Sequence, residues 1–453
     1  MLLTFAAFFF VLSVVVFVHE FGHFIVAKLN RIYVVTFSFG FGPKLLHKKI
    51  GETEYAISAL PFGGYVKFAG ELGEVEAVEH EAGREHEASQ MPDVPEDRMY
   101  RNKSPLQRMS VVLAGPAMNF VLALLVYIFS LYAQGIFVNP DTAIQEVEKG
   151  SPAESAGFRP GDRIVSINGS TIDYWGEIER IMGRAKGSPS VFRVQRGADT
   201  LSINVTPVYD EKLAFWKIGI ISYLPARIGD VKRGSPAERA GLRPGATILS
   251  INDTTVTRYS DLERMILPRA GTPLKFAWEY EGVRHTADIT PASGEAASEG
   301  ERLDVVKVGQ IGISPYYEKR RISFATAVSY GTSAFWSLNA AIIDFLKKLF
   351  TGKATIRAIG GPLRVGIMAG DMVRWGFSYL IYFLAFFSLN LSIFNLLPIL
   401  PFDGGHVVIS LAELVTRRRV GRKVQQVLAQ VGFVILIVLM VFILSVDVFN
   451  IIR

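Results

Sequence analysis

A chain that places His19-Glu20-Phe21-Gly22-His23 inside an apolar run from about Leu2 to Leu29 has few folds open to it. The run is long enough to cross a bilayer, and a single segment there satisfies its own backbone only as a helix. On that helix His19 and His23 are four residues apart, so both imidazoles leave one face about a turn apart. Ionisable side chains are costly at membrane depth and must face protein or a wet cavity, so other segments have to close over this face. Two neutral imidazoles so spaced can hold Zn²⁺, and Glu20 can take a proton from water held there. The chain has only seven histidines, and at that frequency the pattern arises by chance roughly 0.01 times. The plainer alternative is a polar seam between helices, but such seams favour Ser, Thr and small residues over His and Glu.

Half of the 453 residues are hydrophobic, which points to a membrane protein with soluble parts. The net charge is +6, but the basic residues flank apolar segments and do not form a nucleic-acid surface. Cysteine is absent, which excludes disulfides, thiolate zinc sites and cysteine nucleophiles. The N-terminus lacks a basic leader region and its apolar run leads into the histidine motif, so it reads as a retained span and not a cleaved signal peptide.

Three further runs can span a bilayer, at about Met109 to Tyr132, Phe377 to Ile399 and Val427 to Leu444. Basic clusters mark the loops expected on the cytoplasmic side: Lys28, Arg31, Lys44, Lys48 and Lys49; Arg98, Arg101, Lys103 and Arg108; Arg417, Arg418, Arg419, Arg422 and Lys423. Both termini and the long 135–375 region then lie on the other side. Residues 31–70 alternate apolar and polar and are rich in glycine, which predicts β-hairpins lying against the membrane. Residues 71–97 are Glu-rich and predict a flexible acidic segment, with His80 and His86 solvated.

The central region repeats itself at an offset of 84 residues. Gly150-Ser151-Pro152-Ala153-Glu154 recurs as Gly234-Ser235-Pro236-Ala237-Glu238, and Ser166-Ile167-Asn168 as Ser250-Ile251-Asn252. Each copy reads as a turn, a short helix ending at glycine, a Pro-Gly turn and a strand. The blocks resemble bacterial PDZ domains. The first copy matches to Asp162 and Gly169, and the second departs at Ala246 and Asp253. PDZ folds take peptides by strand addition. Ile218-Gly219-Ile220 resembles a carboxylate-binding loop, or is only a strand bend; Ile311-Gly312-Ile313 is a weaker match. Ile322 to Phe350 carries an amphipathic pattern suited to lying on the membrane or the core.

A catalytic zinc needs a third protein ligand. Asp403 and His406 both follow the third span, in Asn395-Leu396-Leu397-Pro398-Ile399-Leu400-Pro401-Phe402-Asp403-Gly404-Gly405-His406. At 1.5 Å per residue His19 lies about 25 Å along its helix, so it and Asp403 both reach the cytoplasmic side of the membrane core. Prolines and glycines permit a bent ligand-bearing loop there.

An HExxH in a first span with Asn-x-x-Pro and Asp-Gly in a late span resembles the site-2 protease family of intramembrane zinc metalloproteases, here over essentially the whole chain. Ala114-Gly115-Pro116 with Asn119, Gly361-Pro362 and Gly63-Gly64-Tyr65-Val66 also match, whereas Leu400 and Phe402 depart from the family's usual residues. The resemblance implies one Zn²⁺ held by His19, His23 and Asp403, with Glu20 as general base. It implies that Asn395 contacts the substrate backbone and that Gly63, Gly64, Tyr65 and Val66 pair with an unwound substrate strand. Its expected partners are single-span membrane proteins already trimmed outside the membrane, such as an anti-sigma factor, together with signal-peptide remnants and the lipid bilayer, and no nucleic acid. The expected location is a bacterial inner membrane with periplasmic PDZ domains that bind peptides at Ile218, Gly219 and Ile220.

The fold class is thus an α-helical polytopic membrane protein with four transmembrane helices, membrane-associated β-hairpins and two α+β PDZ domains. The expected segments are 1–30, 31–107, 108–134, 135–222 and 223–315 (the two PDZ domains), 316–375, 376–423 and 424–453. Two other readings compete. A membrane-anchored PDZ receptor with an inactive metal site predicts loss of Glu20 or a ligand. A transporter predicts inverted repeats among the spans, yet the only repeat found is in the central region.

Overall fold

The computed structural model describes residues 2–70, 94–210, 215–297, 305–352 and 361–452. The acidic stretch with His80 and His86 lies almost wholly outside them. The apolar runs fold as helices: α1 (Leu2–Leu29), α2 (Pro105–Gln134), α3 (Phe324–Phe350), α4 (Pro362–Trp375), α5 (Phe377–Asn395), α6 (Asp403–Thr416) and α7 (Arg422–Ile452). Among the described residues α1, α2, α5 and α7 are long and apolar enough to cross a membrane.

One boundary differs from expectation. The third span stops at Asn395 because the chain turns at Leu396–Phe402 and restarts as α6. The fourth helix fills the expected segment 424–453, its polar flanks continuing the hydrogen-bonded ladder beyond the apolar core. The chain also adds α4, a helix that no apolar run announces.

The chain forms two compact units, one made chiefly of residues 1–130 and 325–453, the other of 131–299 and 305–324. In the first, α1 packs on α4, α5 and a β-sheet. Lipid offers helices no hydrophobic reason to associate, so small residues and interhelical hydrogen bonds do the joining. Accordingly Ala7, Val11, Val15, His19 and Gly22 form a buried stripe along α1. Ser388 and Ser392 of α5, both fully buried, donate to the carbonyls of Asn119 (2.9 Å) and Pro116 (2.6 Å) in α2. Asp447 of α7 accepts from the backbone N–H groups of Gly361 (3.1 Å) and Arg364 (3.3 Å), satisfying donors at the start of α4. Arg108 at the start of α2 forms a buried ion pair with Glu413 of α6.

Residues 31–70 form one sheet instead of separate hairpins. β1 (Val34–Ile50) and β2 (Thr53–Phe68) each double back, with Gly40 (φ 90°) and Gly42 (φ 84°) supplying the left-handed backbone for the reversal in β1. Phe37 therefore faces both Val66 and Tyr55, and Ser38 both Tyr65 and Ala56. The order across the sheet is 44–50, 53–58, 36–39, 64–67, which leaves Gly64–Val66 on an edge.

The second unit contains the repeat as two copies of one fold. In the first, Ser151 caps the helix Pro152–Ala156 by accepting from Glu154 N–H (3.1 Å), and Gly157 ends it in a left-handed conformation. Ser235 caps Pro236–Arg239 in the same way (3.2 Å). Each copy has a four-stranded sheet and its own core. Phe192, Ile164 and Met182 lie at the centre of one, and Phe276, Ile248 and Leu262 of the other. Ile218-Gly219-Ile220 closes the first copy: Ala153 N–H donates to Ile218 (2.8 Å), and strand Ile220–Ser222 pairs with Ile144–Val147. Ile311-Gly312-Ile313 does the same for the second copy, with Ala237 N–H donating to Ile311 (3.0 Å). The structure thus treats the two Ile-Gly-Ile loops alike, although the second was the weaker match in sequence.

Only the first copy has Asp162, which is 1 % exposed and bound bidentately by Arg196 at 2.7 and 2.8 Å. Burial pushes this carboxyl up, but the hydrogen bonds from Arg196 and from the Arg159 backbone outweigh it and hold the pKa below the usual carboxylate range. Ala246 fills the equivalent place in the second copy.

Candidate metal centre

The centre is built where α1, α2 and the start of α6 meet. The buried stripe of α1 carries His19 inward, and His23 lies one turn on. Asp403 is the first residue of α6, brought back by the turn after α5. His19 Nε2 lies 3.1 Å from His23 Nε2 and 3.1 Å from Asp403 Oδ2, and His23 Nε2 lies 3.7 Å from Asp403 Oδ1. An ion with bonds of about 2.0–2.2 Å in tetrahedral geometry holds its ligand atoms about 3.3–3.6 Å apart. Asp403 Oδ2 is buried yet makes no hydrogen bond, despite its closeness to His19. Two imidazole nitrogens and an unpartnered carboxylate oxygen converging on one point are what a cation requires. Two imidazoles and a carboxylate suit zinc with one position left open. Among the described residues no other group of histidines and acids is gathered in this way. His406, the rival ligand in sequence, is exposed on α6 and outside the cluster.

Surrounding groups set the orientation of the imidazoles. His23 Nδ1 is 2.8 Å from the carbonyl of Val111, which can only accept. That nitrogen therefore carries the proton, and Nε2 is free to ligate. Asn119 approaches His19 Nδ1 at 3.3 Å, and Asn395 approaches His19 Nε2 at 3.4 Å. Gly115 passes so close that a Cβ there would lie 2.6 Å from His23 Cε1 and 2.7 Å from His19 Nε2.

Glu20, half-buried, points from α1 toward the sheet edge: a Cβ on Gly64 would lie 3.6 Å from its Cγ. The geometry thus brings His19, His23, Asp403, Asn395, Glu20 and the Gly63–Val66 edge into one locality. Ile218, Gly219 and Ile220 belong to the other unit. Sequence reasoning passed over the serines of α5, the Arg108–Glu413 pair and Asp447. Their signal was present as polar residues within or beside apolar helices.

An HExxH helix closed by an aspartate from a second apolar stretch defines a membrane-integral metallopeptidase. The comparisons agree: the chain belongs to peptidase family M50, the site-2 protease family, whose profile matches residues 7–439. Zinc is the metal of this family and the chain is a zinc metalloendopeptidase. It is 31 % identical over 454 residues to a Neisseria meningitidis protein with a provisional zinc metalloprotease name, covering 96 % of this chain and 97 % of that one. It is 29 % identical to the regulator of sigma E protease of Haemophilus influenzae, covering 96 % of each. A PDZ domain of an SdrC-like protein of Listeria monocytogenes aligns with 19 % of the chain and 92 % of its own length, at 18 % identity and a TM-score of 0.17.

Proposed function

We propose that this chain is an intramembrane endopeptidase that hydrolyses peptide bonds within transmembrane segments of single-span proteins already trimmed outside the membrane. The carrying observation is the convergence of His19, His23 and Asp403, whose ligand atoms all lie within 4.8 Å of one another. One zinc ion per chain, when bound there, supplies Lewis-acid polarisation of the scissile carbonyl and of water. Glu20 takes a proton from the attacking water as its oxygen bonds to the carbonyl carbon, and returns it to the amide nitrogen as the C–N bond breaks. A helical peptide bond is shielded by its own hydrogen bonds, so the substrate must unwind first. The Gly63–Val66 edge replaces those bonds by strand addition beside Glu20, and the Asn395 amide holds the substrate backbone.

The two repeated domains act as tandem PDZ modules that sense substrate size or product ends. The Ile218-Gly219-Ile220 loop binds a peptide terminus. The basic loops hold the chain in a bacterial inner membrane with these modules on the periplasmic side. Its substrates are an anti-sigma factor and signal-peptide remnants, in an envelope stress response; the name regulator of sigma E protease, carried by a relative, supports the link to a sigma factor.

Cleavage of a single-span anti-sigma-type protein lacking its extracytoplasmic domain tests this reading. Purified wild type and Glu20→Gln run side by side, with metal content measured on both. Wild type should cleave, and Glu20→Gln should keep metal without cleaving. Equal cleavage by both, or by neither, sinks the assignment and leaves a membrane-anchored PDZ receptor with an inactive metal site.

A further inference from the structure

Val111, Gly115 and Asn119 recur every four residues on α2, and all three face the imidazoles. Val111 fixes the proton of His23 and Gly115 makes room. Asn119 is left with no part in the mechanism, although it is wholly buried and its side-chain amide touches His19.

The amide has two orientations with opposite consequences. With Nδ2 toward His19 Nδ1 at 3.3 Å, Nδ1 must accept and the imidazole proton moves to Nε2. Nε2 is the atom that faces His23 Nε2 and Asp403 Oδ2, so a proton there blocks ligation. The other amide atom is buried without a partner in either orientation, so the requirement that Nε2 keep its lone pair, and not burial, distinguishes the two. A half-turn of the amide exchanges Oδ1 and Nδ2. Oδ1 then accepts the Nδ1 proton, and Nε2 keeps its lone pair. Ser388 and Ser392 anchor the neighbouring backbone of α2, holding the Asn119 amide in reach.

We infer that Asn119 is a positioning residue for the metal centre: its amide oxygen takes the Nδ1 proton of His19 and so presents Nε2 to the metal. This rests on the His19, His23 and Asp403 reading of the site. Partners of this kind orient ligand imidazoles, and losing one typically weakens metal binding about 10–100-fold.

The test measures zinc affinity of the full chain in detergent by competition with a chromophoric chelator, and the absorption spectrum of the cobalt-substituted protein. Asn119→Leu removes the acceptor at similar volume and should bind zinc about 10–100-fold more weakly, with an altered cobalt spectrum. Asn119→Asp restores an acceptor oxygen and should return both readouts close to wild type. Asn119→Ala, which vacates space instead of filling it, replaces the leucine variant if that one does not fold. His19→Ala is the control for the underlying reading. If His19→Ala loses zinc while Asn119→Leu and Asn119→Ala bind it normally, the role of Asn119 is overturned and the metal centre stands. If the aspartate variant is as weak as the leucine variant, an accepting oxygen is not what the site uses, and the inference also falls. If His19→Ala itself binds zinc like wild type, the metal-centre reading fails first.

Discussion

Replacing Gly115 by alanine sets two effects of opposite sign against each other. Alanine is the better helix former, so the change alone favours α2 by about 1 kcal/mol. At this position, however, the added Cβ lies 2.6 Å from His23 Cε1, 2.7 Å from His19 Nε2 and closer still to His23 Nε2. Ordinary contact begins near 3.4 Å, so the rings must retreat by up to roughly 1 Å, whereas a metal site tolerates about 0.2 Å. His23 cannot tilt freely because its Nδ1 is tied to the Val111 carbonyl one turn away on the same helix. We therefore expect Gly115→Ala to lose about 100-fold or more in zinc affinity, beyond the loss of one orienting partner. In the metal-stripped protein the same Cβ still displaces the rings, but no ion fixes them, so the unfolding temperature should fall only slightly, the helix gain offsetting part of the clash. Zinc competition and thermal unfolding of stripped protein in one detergent provide both numbers. Wild-type affinity in Gly115→Ala would falsify the claim that α2 is shaped by clearance for the ligands. Equal loss of folding and metal would mean the glycine is needed for helix packing alone.

Two further outcomes follow from other parts of the molecule. The pKa of Asp162 is held down in the folded state, so its contribution to stability is full above the unfolded carboxylate value of about 3.9 and is lost as pH falls through the lower folded value. Thermal melts of the full chain should therefore show the transition of the first repeat falling below about pH 4, and Asp162→Ala should lower its stability by about 1–2 kcal/mol at neutral pH, since the Arg196 left behind reaches water, while flattening that acid response. Gly432 of α7 passes directly against the Leu400 carbonyl, three residues before Asp403; Gly432→Ala should push α7 from that turn and weaken zinc binding while leaving the repeated domains' melting unchanged.

The membrane helices and the domain repeat were legible because both write a local, periodic pattern. About twenty apolar residues in a row need no partner to announce a helix, and an 84-residue echo needs no structure to be seen. The single sheet of residues 31–70 was less legible. Alternation announces strands, but the doubling back at Gly40 and Gly42 decides that Gly64–Val66 becomes an edge. Helix α4 was legible only as part of the amphipathic helix region expected over 316–375; its start was not, since its first turn is completed by Asp447, more than eighty residues away.

The chain alone determined that His19 and His23 share a helix face inside an apolar run, because helical periodicity and the cost of ionisable groups in lipid act on neighbouring residues. It also put Asp403 and His406 at the same depth, and only the family resemblance favoured Asp403. Tertiary structure supplies the physical reason. The turn after Asn395 starts α6 at Asp403, which aims its carboxylate at the imidazoles and carries His406 outward along the helix. The roles of Val111, Gly115 and Asn119 were likewise decided only there, because clearance and a hydrogen bond between α1 and α2 depend on how closely two helices approach, and no pattern along either one records that distance.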